Sequence, residues 1–161
     1  MNEKQTLKGF FRVQLTESKD GKSQVVGDSG WKENQVTNLG IQDYLVDALV
    51  GGAGAKAVSH MAIGTGGAPA SNATALAGEI THVSNARKAV STSIVDSRTA
   101  QFTAAYASGD SFVTASVNIS NVGLFETSTT EGGTIFAGNT YASSSLATNQ
   151  NVNVTYQIRF S

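Results

Sequence analysis

Residues 151–160 read NVNVTYQIRF. Successive side chains of an extended chain point to opposite faces, so Val152, Val154, Tyr156, Ile158 and Phe160 share one side while Asn153, Thr155, Gln157 and Arg159 share the other. An unbroken period of two predicts a β-strand with one dry and one wet face. Such a strand needs neighbours that alternate in the same way, and the rest of the chain supplies them.

In TLKGFFRVQLTE, residues 6–17, Leu7, Gly9, Phe11, Val13 and Leu15 alternate with Lys8, Arg12, Gln14 and Thr16, and only Phe10 breaks the pattern. Asp20-Gly21 is a strong turn signal, after which Val25, Val26 and Trp31 resume among polar neighbours, as in a hairpin or loose meander. Later runs within residues 86–125 alternate too. Phe102, Ala104 and Tyr106 make one series and Val113, Ala115, Val117 and Ile119 another, with Asp96-Ser97 and Gly109-Asp110 as breaks. Thr129 to Gly133 marks a further turn before TIFAGNTYA.

One segment departs from period two. TNLGIQDYLVDALVGG, residues 37–52, predicts an amphipathic helix at about 38–50, capped by Thr37 or Asn38 and ended by Gly51-Gly52 in a left-handed turn. Ile41, Tyr44, Leu45, Ala48 and Leu49 form its expected buried stripe. GGAGAKA then reads as a flexible connection. Strand-length runs at intervals of roughly a dozen residues with one helix predict a mainly β fold, an antiparallel β-sandwich, with jelly-roll and immunoglobulin-like connectivities both open. The 161 residues suit a single domain spanning 1–161, with a short polar N-terminal arm at about 1–6.

SHMAIGTGGAPASNATALAGEI, residues 59–80, holds the densest glycine cluster. A P-loop requires a Gly-Lys-Ser/Thr ending that is absent, and a G-x-G-x-x-G placed on Gly64 and Gly66 puts Pro69 where the third glycine belongs. A strand, His60 to Ile63, followed by a turn is the better reading, and Asn72 or Thr74 can open a single helical turn through Leu76 and Glu79.

Composition narrows the function classes. Eleven basic against twelve acidic residues give no field of one sign to attract nucleic acid or an anionic membrane. Cysteine is absent, which excludes disulfides and thiolate ligands. The N-terminus lacks the apolar core of a signal peptide, and the apolar stretch at Leu45–Val50 is far short of the ~20 residues that span a bilayer, so the chain reads as soluble. Charged residues are only 14%, and a hydroxyl-rich, low-charge surface suits a molecule packed in an assembly.

Candidates for chemistry are sparse. His60 and His82 stand 22 residues apart with no companion ligands, so no metal site and no cofactor is expected. No G-x-S-x-G occurs, and Glu79 and Glu126 read as cap or rim salt-bridge residues at element edges, so no catalytic set is expected. Trp31, Phe11 and Phe112 could form a glycan platform, although aromatics in alternating strands are ordinarily core. The arm residues Met1, Asn2, Glu3, Lys4 and Gln5 are the partner-binding candidates, either frayed or held by a partner.

Taken in order, VTNLGIQDYLVDALVGG, VSHMAIGTGGAPASNATALAGEI, ISNVGLFETSTTEGGTIFAG and NVNVTYQIRF resemble a recurrent kind of tailed-bacteriophage virion protein. In that kind a T-N-x-G helix precedes a strand ending in A-I-G-T-G, a T-x-L-x-x-E segment, an E/N-x-G-L-F strand and a closing alternating strand. Here the fourth motif begins at Asn121, and the arginine that often follows the motif glutamate is displaced from Glu79 toward Arg87. The resemblance implies a non-enzymatic virion component with a β-sandwich fold: a capsid decoration (cement) protein, or alternatively a tail baseplate or fibre module for host attachment. It implies as partners the major capsid protein and copies of itself in a homotrimer, or alternatively other tail proteins or a host surface glycan, and as location the virion, assembled in the host cytoplasm. It also implies that the glycines of Gly64–Gly67 are turn residues with positive φ leading into a short helical turn.

Overall fold

The structure, a computed structural model, describes residues 6–81, 86–110 and 116–161. It is mainly antiparallel β. In chain order the elements are β1 (Leu7–Lys19), β2 (Lys22–Asp28), β3 (Lys32–Val36), a helix α1, β4 (His60–Gly64), β5 (Lys88–Ala89), β6 (Ser91–Asp96), β7 (Thr99–Tyr106), β8 (Val117–Phe125), β9 (Ala137–Leu146) and β10 (Asn151–Phe160). Helix α1 is a π-helical stretch, Gly40–Val46, continued by α-helical Asp47–Leu49.

β10 lies at the centre of its half of the sheet, as its alternation requires. It pairs with β1 from Leu7↔Phe160 to Thr16↔Asn151 and with β7 from Val152↔Tyr106 to Arg159↔Thr99. The inward residues of the three strands, Phe11, Val13, Leu15, Ala104, Tyr106, Val152, Val154, Tyr156 and Ile158, belong to one core. Phe11 stacks on Tyr156 at 5.8 Å and meets Tyr141 edge-on at 6.1 Å. Phe10, the break in the first alternation, lies under the Arg159 guanidinium at 4.6 Å on the outer face. Asp20 and Gly21 both take positive φ, as a tight hairpin turn demands, and join β1 to β2.

Among the described residues ten strands form one sheet in the order β5-β4-β8-β9-β3-β1-β10-β7-β6, with β2 added beside β1. Two strands bend the sheet round. β3 pairs with β1 through Lys32–Asn34 and with β9 through Gln35–Val36. On the far side β5 pairs with β4, and after Val90 alone the chain re-enters as β6 and pairs with β7. The two ends of the sheet are therefore consecutive in sequence, and the sheet nearly closes into a barrel, which removes most of its edge. A smaller cluster, Ala62, Leu76, Phe125 and Ile135, fills the outer side of β4 and β8 beneath the chain that follows Gly64, so β4 is buried on both faces.

Three local expectations change. Thr37 does cap the helix, its Oγ1 accepting from Gly40 N–H at 2.9 Å, and Gly51 (φ 65°) ends it, with Gly52 N–H bonding Asp47 O at 2.9 Å. The expected stripe holds only in part: Tyr44 is buried and Leu45 half-buried against the core, joined by Gly40, while Ala48 is exposed, Ile41 is 41% and Leu49 86% exposed. Gly40 sits against the Phe136 carbonyl so closely that a Cβ would come within 2.1 Å of the oxygen. That anchor, with the wide π winding that follows it, turns the face away from the α-periodic stripe. Second, no helical turn forms over residues 72–79; Glu79 instead bridges Gly64, and Gly78 takes φ 63°. Third, Gly64, Gly66 and Gly67 do not have positive φ. A Cβ on Gly64 would lie 2.5 Å from Asn121 Oδ1 and one on Gly66 2.2 Å from Ala77 O, so close approach of the chain is what excludes side chains at these two.

Candidate functional site

Residues of the stretches 58–80 and 119–138 converge on one joint. Arg87, which follows the motif glutamate at a distance, folds back to Glu79 in a double contact: Nε donates to Oε1 at 2.6 Å and Nη2 to Oε2 at 2.9 Å. Its Nη1 donates to the Thr127 and Gly132 carbonyls at 3.2 and 2.9 Å, and the guanidinium lies 3.6 Å above the Phe125 ring. Asn121 Nδ2 reaches the Gly67 and Ala77 carbonyls at 3.0 and 2.8 Å, and Ser120 Oγ donates to Gly66 O at 2.9 Å. The glycine loop thus presents carbonyls inward to side chains of β8, whereas an anion site presents N–H groups. Glu79 was expected at a rim; it is inside, because only a buried carboxylate can neutralise a buried guanidinium.

A second cluster lies where α1 crosses the sheet. The Tyr44 hydroxyl donates within reach of Glu126 Oε2 at 2.7 Å and Thr134 O at 2.5 Å, and Glu126 also accepts from Thr134 N–H at 3.0 Å. Lys56 Nζ joins Asp43 at 2.9 Å and Glu126 at 3.5 Å, and bonds Thr134 Oγ1. Burial pushes the Tyr44 hydroxyl well above its usual range, with the Glu126 carboxylate adding to it. Burial alone would raise Glu126 as well. The hydrogen bonds from Thr134 N–H and Tyr44, with Lys56 nearby, outweigh it and leave this carboxyl below its usual value. Glu126 is therefore a brace between α1 and the turn before β9.

Beside this brace is a hollow of about 190 Å³ between α1, residues 56–58 and the inner faces of β7 and β10, walled by Leu45, Val58, Phe102, Phe136, Ile158 and Phe160. Its size suits one or two apolar side chains; small-molecule sites are ordinarily larger, about 300–1,000 Å³. A second hollow of about 180 Å³ adjoins it across Ala100 and Phe160 and reaches Ile94 and Arg98. Phe160 was placed on the dry face of its strand and is on the inner side, yet it is 43% exposed, because β10 ends there and little chain covers it.

His60 is half-buried on β4, with Nδ1 2.8 Å from Ser59 Oγ. The Ser59 hydroxyl gives its one proton to the Glu126 carbonyl at 2.7 Å, so it accepts from Nδ1–H, and the imidazole is not arranged to take the serine proton. Burial first, and Arg87 second, hold the His60 pKa below its usual value. Among the described residues no three His, Asp or Glu side chains gather as a metal ion would need. Of the three platform aromatics, Phe11 is core, Trp31 is 45% exposed, and Phe112 lies outside the described residues, as do His82, Val113, Ala115 and the arm residues Met1, Asn2, Glu3, Lys4 and Gln5. Thr6, where the arm was to end, is tied to Ser161 by backbone bonds in both directions, Ser161 N–H to Thr6 O at 2.9 Å.

Sequence reading passed over Lys56 and the hollow. A lone cation in the run GGAGAKA was a signal, since a lysine among glycines and alanines has no neighbour in sequence to pair with. Among the described residues no helix is long and apolar enough to cross a membrane. The chain matches no protein-family model, no curated protein and no solved structure.

Proposed function

We propose that this chain is a non-enzymatic structural protein of a bacteriophage virion, a capsid decoration (cement) protein that binds the outer capsid surface and stabilises contacts between capsomers. The observation that carries the reading is where the family-like residues go. Thr37, Gly64, Glu79 and Asn121 are spent on joints that lock loops to the sheet, while Leu49, Val50, Ile94 and Phe160 are left exposed. A stiff body with apolar contact points is what a clamp requires, since its work is the sum of many modest contacts. On this reading the curled sheet is a jelly-roll-like sandwich whose layers are β1-β10-β7-β6, with β2 also paired to β1, and β9-β8-β4-β5, β3 crossing between them. Its partners are the major capsid protein and copies of itself, and its place is the virion. The test is to strip the protein from particles, heat them with and without added protein, and follow DNA release; equal release temperatures would reject a cement role.

One observation favours a second reading. Trp31 is 45% exposed after β2, whose Val25 and Val26 are also bare, and an outward indole near a projecting ribbon suits a tail baseplate or fibre module that touches a host glycan or other tail proteins. Labelling of intact particles separates the two, because a tail module would be found on tails alone.

A further inference from the structure

Where β10 ends, the described residues leave the inner side of the sheet uncovered. Phe160 walls both hollows, the one of about 190 Å³ together with Leu45, Phe102 and Phe136, and the one of about 180 Å³ together with Ile94 and Arg98. Phe160 itself is 43% exposed and Ile94 85%. Charge does not select what covers this mouth, because Lys56 lines the first hollow and Asp96 and Arg98 both line the second. Position along the chain does. Ser161, the residue after Phe160, is bound to Thr6 by backbone hydrogen bonds in both directions, and the two hydroxyls share a further bond at 2.8 Å.

Residues 1–5 are therefore rooted at the rim of the mouth. From Thr6 the Phe160 backbone lies about 5 Å across the strand pair and about 3.4 Å, one residue, back along β10. Five extended residues reach about 17 Å. The outer side of this corner is already occupied, since the Arg159 guanidinium covers the Phe10 ring at 4.6 Å; the inner side, toward which Phe160 points, is the open one. Met1 is the one apolar residue of MNEKQ, and an unbranched thioether chain adapts well to an irregular apolar gap. A segment tethered this closely meets the hollow at an effective concentration of about millimolar, well above that of a free partner at micromolar levels.

We propose that residues 1–5 fold back across the mouth of their own chain, with the Met1 side chain filling the hollow of about 190 Å³ against Phe102, Phe136 and Phe160. Asn2 to Gln5, all polar, then lie over the rim, where water and charges of both signs are at hand. The segment acts as a strap from the start of β1 to α1 and residues 56–58, covering apolar surface that β10 leaves bare. The inference goes beyond the proposed function and does not depend on it, because it concerns contacts within one chain.

The experiment is NMR of the full chain with isotope-labelled methionine methyls. The sequence has two methionines, Met1 and Met61, and Met61 is fully buried, so one signal reports the arm and the other the core. The Met1 methyl is expected to be displaced by aromatic ring currents from its position in urea, equally at every protein concentration, and to show cross-relaxation to ring protons of Phe102, Phe136 or Phe160. Phe160→Ala should return it most of the way to the urea position while the Met61 signal stays in place, which also reports that the variant is folded. A Met1 signal at its urea position in the native protein overturns the proposal, whatever the variant does. So does a displaced signal without contact to those rings, or one indifferent to Phe160→Ala. A displacement that grows with protein concentration also overturns it, since the arm would then occupy the mouth of another copy. Every one of these outcomes leaves the cement reading standing, because that reading is tested on particles.

Discussion

Arg87 and Glu79 lie side by side out of solvent, Nε to Oε1 at 2.6 Å and Nη2 to Oε2 at 2.9 Å, with 0% and 2% of their side chains exposed. The pair fastens the chain after β4 to the turn after β8, since the same guanidinium holds the Thr127 and Gly132 carbonyls. Removing one partner strands the other in a dry site. Arg87→Ala should therefore lower unfolding free energy by about 3–5 kcal/mol, and Glu79→Leu combined with Arg87→Met should recover much of that loss. Urea unfolding of the single and double variants measures both.

Gly66 and Gly67 are adjacent and expected to respond in opposite ways. A Cβ on Gly66 meets the Ala77 carbonyl at 2.2 Å, whereas one on Gly67 meets nothing within 4 Å, and neither has positive φ. Gly66→Ala forces two backbone segments apart and should cost about 1–3 kcal/mol. Gly67→Ala restricts mainly the unfolded chain and should be neutral or stabilising by up to about 1 kcal/mol. Thermal melts of the two variants decide it; equal losses would mean that close packing of the loop is not the constraint.

Tyr44 is the buried residue by which α1 is braced to Glu126 and Thr134. Tyr44→Phe keeps the ring, which lies 5.0 Å from Phe136, and removes only the hydroxyl. Loss of the single O–H donor leaves the Thr134 carbonyl or the Glu126 carboxylate short of one hydrogen bond and should cost about 1–3 kcal/mol. Amide exchange in residues 41–50 should quicken more than exchange in β10, which locates the loss in the helix.

Acid should weaken the fold in two stages. The folded His60 pKa is depressed, so between that value and about 6.5 the unfolded chain holds more protons than the folded one, and stability falls as pH drops through this window. The facing charges are Arg87, which disfavours the imidazolium, and Glu79, already committed to Arg87. His60→Gln should flatten the unfolding midpoint between pH 7.5 and 5.5, while the wild-type midpoint declines. The second stage comes below about pH 4, where Asp28, Asp96, Asp110 and Glu126, all depressed in the fold, take up protons more readily when unfolded. The stability they contribute above their unfolded values is lost there in both proteins.

What the sequence by itself determined is what depends on neighbours along the chain. Alternation placed β1, β7 and β10 and their inward residues, Asp20-Gly21 placed a hairpin, and Thr37 and Gly51 placed the two ends of α1. Each of these follows from local backbone geometry, in which side-chain direction repeats every two residues and particular residues favour caps and turns. Periodicity also placed Tyr44 and Leu45 inward, but the tertiary structure alone decided that Gly40 joins them and that Ile41, Ala48 and Leu49 stay outside, because Gly40 is held by a carbonyl 96 positions away in sequence, that of Phe136. It likewise decided that Glu79 is buried with Arg87, that Gly66 is glycine for want of space, that Lys56 finds Asp43 and Glu126, and that Phe160 ends its strand half in water. Those outcomes turn on which strands become neighbours as the sheet curls. Periodicity carries no record of that, since strands of the same alternation can pair in many orders.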